Sequence, residues 1–595
     1  MTARSAWWLR LITVLTVAVS CLVAAGCANL PDSSQPQALG PLEPEPTRKG
    51  PPPPSPGRDQ DLLLRDFLQA TADPTDGHLA ARQYMTPPAA TQWQDTGPQV
   101  IVERADTLRE SRTENEATYV LRARRVGELA ADGSYRSAEG IVEHKIEMTR
   151  VGGQWRIDEL PDGVVMEYSA FTQSYRRHTL YFVTPDGTHM VPDLRWLAVP
   201  PDQLAEQLVS LLIAGPRPDI APVVRNYLHA PIAVRGGLTK ANGDPVGVGV
   251  GLGGVRIDFT GIGELPDRDR KAFAAQVVYT LSASDVLGPY MLLRDGRPLD
   301  QRYAGSGWSA EDLGQLSTAL EPADQAGLHA LRDGALVEVV DDAEPRPVPG
   351  GFGALHNLQS AALSPDGNFY AGVADTGDPP RTLTVASSGG DAFGFATGAS
   401  ITRPSWAGDG SAAWAVIDGT QVVRAVTNRE TGTVARQDVD TAELFGAGSG
   451  LQAPITEFRI SRSGVRAALV AAGKVYVATV LRRPDGSYAL IRPRATAVEL
   501  STVATSVDWY NEETIVVATA GTVDPVRTVK IDGSEVSSLG GRNLTPPVRQ
   551  VAASADHQYV ADSRAVLEFT RTPEGDPYWR EVPSLGSDAV PVLPG

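Results

Sequence analysis

The chain has 595 residues, with 71 Asp plus Glu against 53 Lys plus Arg, a formal charge of −18 and a hydrophobic share of 42%. At roughly 150 residues per domain, this length predicts three or four folded units rather than one core. The acidic balance excludes the usual footprint of a nucleic-acid binder, because the densest basic stretches, Arg122-Ala123-Arg124-Arg125 and Arg482-Arg483, read as solvated faces or strand ends.

The N-terminus carries Arg4 and Arg10 and then an uncharged apolar run from Leu11 to Ala25, the layout of a secretory signal. As a helix the run would reach about 22 Å, short of the ~30 Å needed to cross a bilayer, so removal is expected rather than retention. Val23-Ala24-Ala25-Gly26-Cys27 resembles the lipobox of bacterial lipoproteins, with Ala24 where Leu is usual. The resemblance implies a diacylglycerol thioether on Cys27, then cleavage between Gly26 and Cys27 and an N-acyl chain on the freed amine of Cys27. Two acyl chains suffice for stable membrane attachment. The other reading is an ordinary signal cut after an A-x-A-like site, leaving Cys27 incidental. The only other cysteine, Cys21, lies inside the apolar run, so the mature chain is expected to hold no disulfide.

Residues 27–57 turn to proline and polar side chains, including the run Pro51-Pro52-Pro53-Pro54. Such a segment cannot form a core and tends to extend as polyproline II, which predicts a stalk.

Between 58 and 175, Leu62, Leu63, Phe67 and Leu68, then Leu79, Ala80 and Tyr84, recur at helical spacing. After Trp93 the pattern alternates as strands, with turns at Ala131-Asp132-Gly133 and Gly152-Gly153. Helices on a curved sheet, ending in Gly153-Gln154-Trp155-Arg156-Ile157, resemble nuclear-transport-factor-2-like (NTF2-like) domains, an α+β cone. Trp155 reads as core, and no acid and histidine pair is marked out for catalysis.

From 176 to 305, Thr179–Val183 leads through Thr184-Pro185-Asp186-Gly187 to a second strand with Val191. A helix carrying Leu204, Leu208, Leu211 and Leu212 follows and stops at Gly215-Pro216. A strand at Val255–Gly261, a helix at Lys271–Leu281 and a strand at Tyr290–Leu293 complete the unit. The segments Leu211–Pro216, Ile257-Asp258-Phe259 and Val278–Leu281 resemble the GerMN module, an α+β domain of exported bacterial proteins. Gly249, Gly251 and Gly254 satisfy G-x-G-x-x-G, but a strand rather than a helix follows them, which makes a loop the expectation and not a nucleotide site.

From 315 to 595 a repeat appears, each copy a small-residue strand, a turn and a second apolar strand. The copies centre on Ser364-Pro365-Asp366-Gly367, Gly408-Asp409-Gly410, Ser461-Arg462-Ser463-Gly464, Tyr510-Asn511-Glu512 and Ser554-Ala555-Asp556. Their spacing fits blades of an all-β propeller, with five blades visible and a sixth if the region before Gly351 forms one. Ala335–Val340 is expected to close the ring against the final blade.

No zinc-protease, P-loop, nucleophile-elbow or calcium-loop motif occurs, and His144, His178, His189 and His356 lack metal-ligand spacing. The expectation is a protein that is not an enzyme, with no metal and no cofactor beyond the lipid on Cys27. The whole order, from lipobox and stalk through cone and GerMN-like unit to propeller, resembles the actinobacterial lipoprotein LpqB family. That resemblance implies attachment to the outer face of the cytoplasmic membrane and contact with the extracellular domain of the sensor kinase MtrB. There it would regulate the MtrA–MtrB two-component system of envelope growth and division. A rival expectation is a propeller that binds a cell-wall glycan or another envelope ligand, which clustered aromatic and acidic side chains at one channel mouth would favour, Trp406, Trp414, Trp509 and Trp579 being the candidates to meet there.

Overall fold

The computed structural model describes residues 53–245, 253–316, 326–340, 343–428, 433–572 and 575–595. The signal segment, Gly26, Cys27, the stalk up to Pro52, and Gly249 and Gly251 lie outside them.

Asp59 starts the first helix by accepting a hydrogen bond from the Leu62 amide at 2.9 Å, a standard N-cap. The helix, α1 (Gln60–Ala70), buries Leu63, Leu64, Phe67 and Leu68, so its apolar face is rotated away from Leu62. After α2 (Thr75–Arg82) and α3 (Pro87–Gln92) come β1 (Gln99–Arg112), β2 (Glu116–Leu129), β3 (Tyr135–Ser137), β4 (Ile141–Val151), β5 (Gln154–Glu159) and β6 (Val165–Glu167). They form one sheet in the order β5-β4-β2-β1-β6, with β3 beside β2. Three register shifts between β1 and β2 bend the sheet around the helices, as bulges do. Trp155 is buried in this core with Tyr119, Ile157 and Phe171. The cavity that remains beside Trp93 and His144 measures about 20 Å³, room for about one water.

α4 (Tyr168–Ser174) leads into a hairpin of β7 (Arg176–Val183) and β8 (Met190–Leu197). α5 (Pro201–Ala214) ends at Gly215, whose φ of 102° suits glycine. The short β9 (Ala233–Val234) pairs antiparallel with β10 (Val255–Thr260), and α6 (Asp267–Ser282) then crosses over to β11 (Tyr290–Arg294), parallel to β10. With β12 (Arg297–Pro298), the sheet order is β12-β11-β10-β9. α6 begins four residues before Lys271 because Asp267 and Asp269 occupy its first turn, where the helix dipole favours negative charge. Leu204, Leu208 and Leu212 of α5 share one core with Phe273, Val277 and Leu281 of α6.

The remaining strands form six four-stranded antiparallel units among the described residues, two of them joined edge to edge at Val439–Asp440 and Tyr488–Ala489. In five units the first strand is innermost: Leu358–Leu363, Ser405–Trp406, Ile455–Ile460, Ala504–Asn511 and Gln550–Ala553. These are the first strands of the five sequence repeats. The other unit takes its innermost strand, Val590–Val592, from the end of the chain, and the six inner strands pack in a closed ring.

Closure differs from expectation by one strand. Val590–Val592 pairs with His329–Arg332, and Ala335–Glu338 lies one strand further out. The tight turn at Asp333-Gly334, both with positive φ (51° and 71°), folds Ala335–Glu338 back on His329–Arg332, as such turns do in hairpins. That leaves the far edge of His329–Arg332 open to the C-terminal strand.

Candidate functional site

β8 is buried at all eight positions, because three folded parts meet on it. Trp196 packs on Phe171 with ring centroids 4.6 Å apart, and its amide donates to Gly133 O at 2.7 Å, both on the N-terminal part. Leu194 lies in a propeller-side core with Val470, Val507 and Trp509. Asp193, fully buried, faces Arg195 at 2.8 Å and Arg217 at 2.6 Å, and accepts from the Arg217 amide at 2.9 Å. Further along, Arg466 donates to Pro192 O at 2.6 Å, and Asp219 pairs with Arg494 at 2.8 Å. Burial alone would push the Asp219 carboxyl up, but Arg217 and Arg494 outweigh it and hold it at about 2. The same burial, with Arg217 adding repulsion, lowers Arg494 to about 10.

Beside this junction opens a cleft of about 570 Å³. One wall is the Thr184–His189 turn of the β7–β8 hairpin with Pro222, Val223 and Arg225; the other comprises the turns Ala407–Ser411, Arg462–Val465 and Arg482–Tyr488. Gly408 sets the spacing of the two inner turns, since a Cβ there would stand 1.8 Å from Arg462 O. Arg424, on Gln421–Thr427, is 5% exposed. Its guanidinium lies 3.7 Å from the Tyr488 ring centre and 4.9 Å from that of Trp414, a cation–π arrangement. Gln437 accepts from Arg424 Nη1 and is itself anchored to Gly486 O at 2.8 Å. Burial pushes the Arg424 guanidinium down, and the nearby Arg482 charge adds to that against the opposing pull of Tyr488 and Asp409.

The middle of the ring is crossed by charged side chains. Arg403 donates to Val551 O at 3.0 Å and Val507 O at 3.1 Å, while Arg459 donates to Asp508 at 2.9 Å, Pro404 O at 2.8 Å and Gly595 O at 3.2 Å. Burial pushes the Glu457 carboxyl beside Arg403 up and the Arg403 guanidinium down.

Trp406, Trp414, Trp509 and Trp579 do not meet. Each is buried in a different core between sheets. Trp406 and Trp509 play equivalent parts, donating from Nε1 to Ala362 O (3.3 Å) and Arg459 O (2.9 Å) of the preceding inner strand. Of the histidines, His189 lies at the cleft while His144 borders the small N-terminal cavity. Among the described residues no group of three metal-ligating side chains forms and no helix is long and apolar enough to cross a membrane. Arg482-Arg483 ends a strand, as the sequence predicts, but on the cleft wall. Arg424, Asp193 and Arg195 carry a signal that sequence reading missed, a charge inside an otherwise apolar strand.

Comparison with known proteins places these parts. Residues 334–594 match the lipoprotein LpqB β-propeller domain, residues 53–172 the lipoprotein LpqB N-terminal domain, and residues 179–300 a domain of sporulation and spore germination. A lipoprotein LpqB from Nocardia farcinica is 60% identical over 98% of each chain. The chain belongs to the LpqB lipoprotein family. LpqB of Mycolicibacterium smegmatis is 41% identical, over 98% of this chain and 100% of its own. Among solved structures, a putative TolB from Agrobacterium tumefaciens overlaps 35% of this chain and 73% of its own at 15% identity and a TM-score of 0.26, too slight a likeness to carry argument. The cleft described above lies where the spore-germination-type domain meets the propeller.

Proposed function

We propose that this LpqB-family protein is an extracytoplasmic lipoprotein, cleaved between Gly26 and Cys27 and acylated at Cys27. It is held on the outer face of the cytoplasmic membrane, where it acts as a non-enzymatic accessory regulator of the sensor kinase MtrB. In this reading residues 27–57 are the stalk, 58–175 an NTF2-like cone, 176–305 a GerMN domain and 315–595 a six-bladed propeller. The register shifts in the N-terminal sheet support the cone, and the six units around the ring support the blade count.

The observation that carries the reading is the buried β8 strand. It ties three folded parts together through Trp196, Leu194 and Asp193, so they present one surface of fixed shape. A fixed surface suits docking on a receptor domain, and confinement to one membrane makes a weak contact effective by raising local concentration. The rival, a propeller that binds a cell-wall glycan or another envelope ligand, gains no support from these tryptophans, because the four indoles are buried apart.

Photoreactive residues placed over the propeller and GerMN surfaces in intact cells test the proposal. Recovery of the MtrB extracellular domain from one contiguous patch is expected, whereas recovery of cell-wall material alone would overturn it. Cys27→Ala at native expression tests the anchor, and full retention of kinase signalling by a released protein would remove membrane attachment from the mechanism.

A further inference from the structure

The cleft between the hairpin and the propeller holds an excess of positive charge. Five arginines line it, Arg225, Arg424, Arg462, Arg482 and Arg483, against two carboxylates, Asp186 and Asp409. Among the described residues only Arg483 has a carboxylate within 4 Å, Asp440 at 2.6 Å. Asp186, exposed on its turn, accepts from Thr184 and Thr188 at 2.6 and 2.7 Å, and Asp409 accepts from the Ser411 amide at 2.9 Å. In a chain with a net charge of −18, four guanidiniums on one cleft with no carboxylate within 4 Å among the described residues are not an average of composition.

Two buried polar atoms in the lining also lack partners among the described residues, Arg424 Nε and Trp414 Nε1. Each is a donor, as are the guanidinium forks around them. Buried donors without acceptors cost free energy unless something supplies the acceptors. The rest of the lining is uncharged and partly apolar, including Pro222, Val223, Ile460 and Val480. The volume of about 570 Å³ falls within the roughly 300–1,000 Å³ range of small-molecule sites.

We infer that this cleft binds a small phosphate-bearing molecule, with Arg462 and Arg482 holding the phosphate and the Arg424–Tyr488 stack facing the adjoining uncharged portion. Phosphate is preferred to a lone carboxylate because it offers more acceptor oxygens to several planar forks at once. The phosphate can belong to a soluble phosphorylated compound or to a lipid headgroup. This inference does not depend on the kinase reading.

The test is calorimetric titration of the full-length protein in neutral detergent with inorganic phosphate, glucose 1-phosphate, glucose and dioctanoyl phosphatidylglycerol. Saturable binding of at least one phosphate probe and none of glucose is expected. Affinity should fall at least tenfold in Arg462→Ala/Arg482→Ala, with the melting temperature unchanged. Tighter binding of the phosphatidylglycerol assigns a lipid headgroup, and tighter binding of glucose 1-phosphate assigns a soluble ligand. Should the double variant unfold, Arg482→Glu on an exposed side chain carries the same expectation. No saturation by any phosphate probe, equal binding of glucose, or wild-type affinity in the folded variants overturns the inference.

Discussion

Asp193 and Arg217 are both almost wholly buried, with Oδ1 and Nε 2.6 Å apart but without the alignment of a hydrogen bond, so their attraction is mainly electrostatic. Arg195 shares the same carboxylate at 2.8 Å. Asp193 is thus the wholly buried anion between two buried cations where three parts of the chain meet, with Asp132 at 2.5 Å from Arg195 and Asp219 at 3.8 Å from Arg217 on the more exposed sides. Removing it should be far costlier than removing a surface charge, by about 3–5 kcal/mol. Asp193→Ala is therefore expected to lower the urea midpoint strongly and to split one unfolding transition into two as the propeller separates from the rest. An unchanged single transition would contradict the role given to β8.

Gly408 is required by contact. A methyl group there meets Arg462 O at 1.8 Å, so Gly408→Ala must push the Ala407–Ser411 and Arg462–Val465 turns apart. Overpacking of this kind typically costs about 1–3 kcal/mol, readable by thermal denaturation. Gly464→Ala is the control: its Cβ meets nothing within 4 Å, leaving only the strain of a positive φ, and it should cost less.

Asp219 supplies a pH signature. Its carboxyl is held at about 2 in the folded protein, below an unfolded value of about 3.9. Stabilisation is then fully present above the unfolded value and is lost as pH falls through the folded one. Asp219→Asn should cost about 2.5 kcal/mol at neutral pH by that shift. Denaturant titrations should show the gap between variant and wild type narrowing below about pH 4 and closing near pH 2. A gap that stays constant with pH would rule out the ion pairs with Arg494 and Arg217 as its source.

Deleting Val590–Gly595 removes the innermost strand of one propeller sheet and exposes the edge of His329–Arg332. Limited proteolysis should then cut within the propeller while the N-terminal fragment survives. Equal resistance in the deleted and intact proteins would show that the ring holds without its closing strand.

Much of this fold was legible in the sequence because its signals are local. Alternation and turn residues around Gly367, Gly410 and Gly464 mark the inner hairpins of the propeller, and Leu204, Leu208 and Leu212 mark the buried stripe of α5. The closing strand was harder to assign, since His329–Arg332 and Val590–Val592 are short and their pairing joins distant parts of the chain. The cleft was least legible. Arg424 and Arg482 are separate residues in the sequence, and only the packing of the hairpin against the propeller places them on one cavity. Asp193 and Arg195 could have been noticed, because ionised side chains inside the run Met190–Leu197 call for buried partners.

The pairing of Val590–Val592 with His329–Arg332 also dictates when the propeller can be finished. While the chain is being made, five sets of strands can form their own meanders, but the sheet begun by His329–Arg332 waits with one edge unsatisfied. Its partner, Val590–Val592, emerges after every other described strand. A nascent chain stalled before Val590 therefore carries an unsealed ring, whereas the N-terminal sheet and the spore-germination-type unit already have every strand described for them.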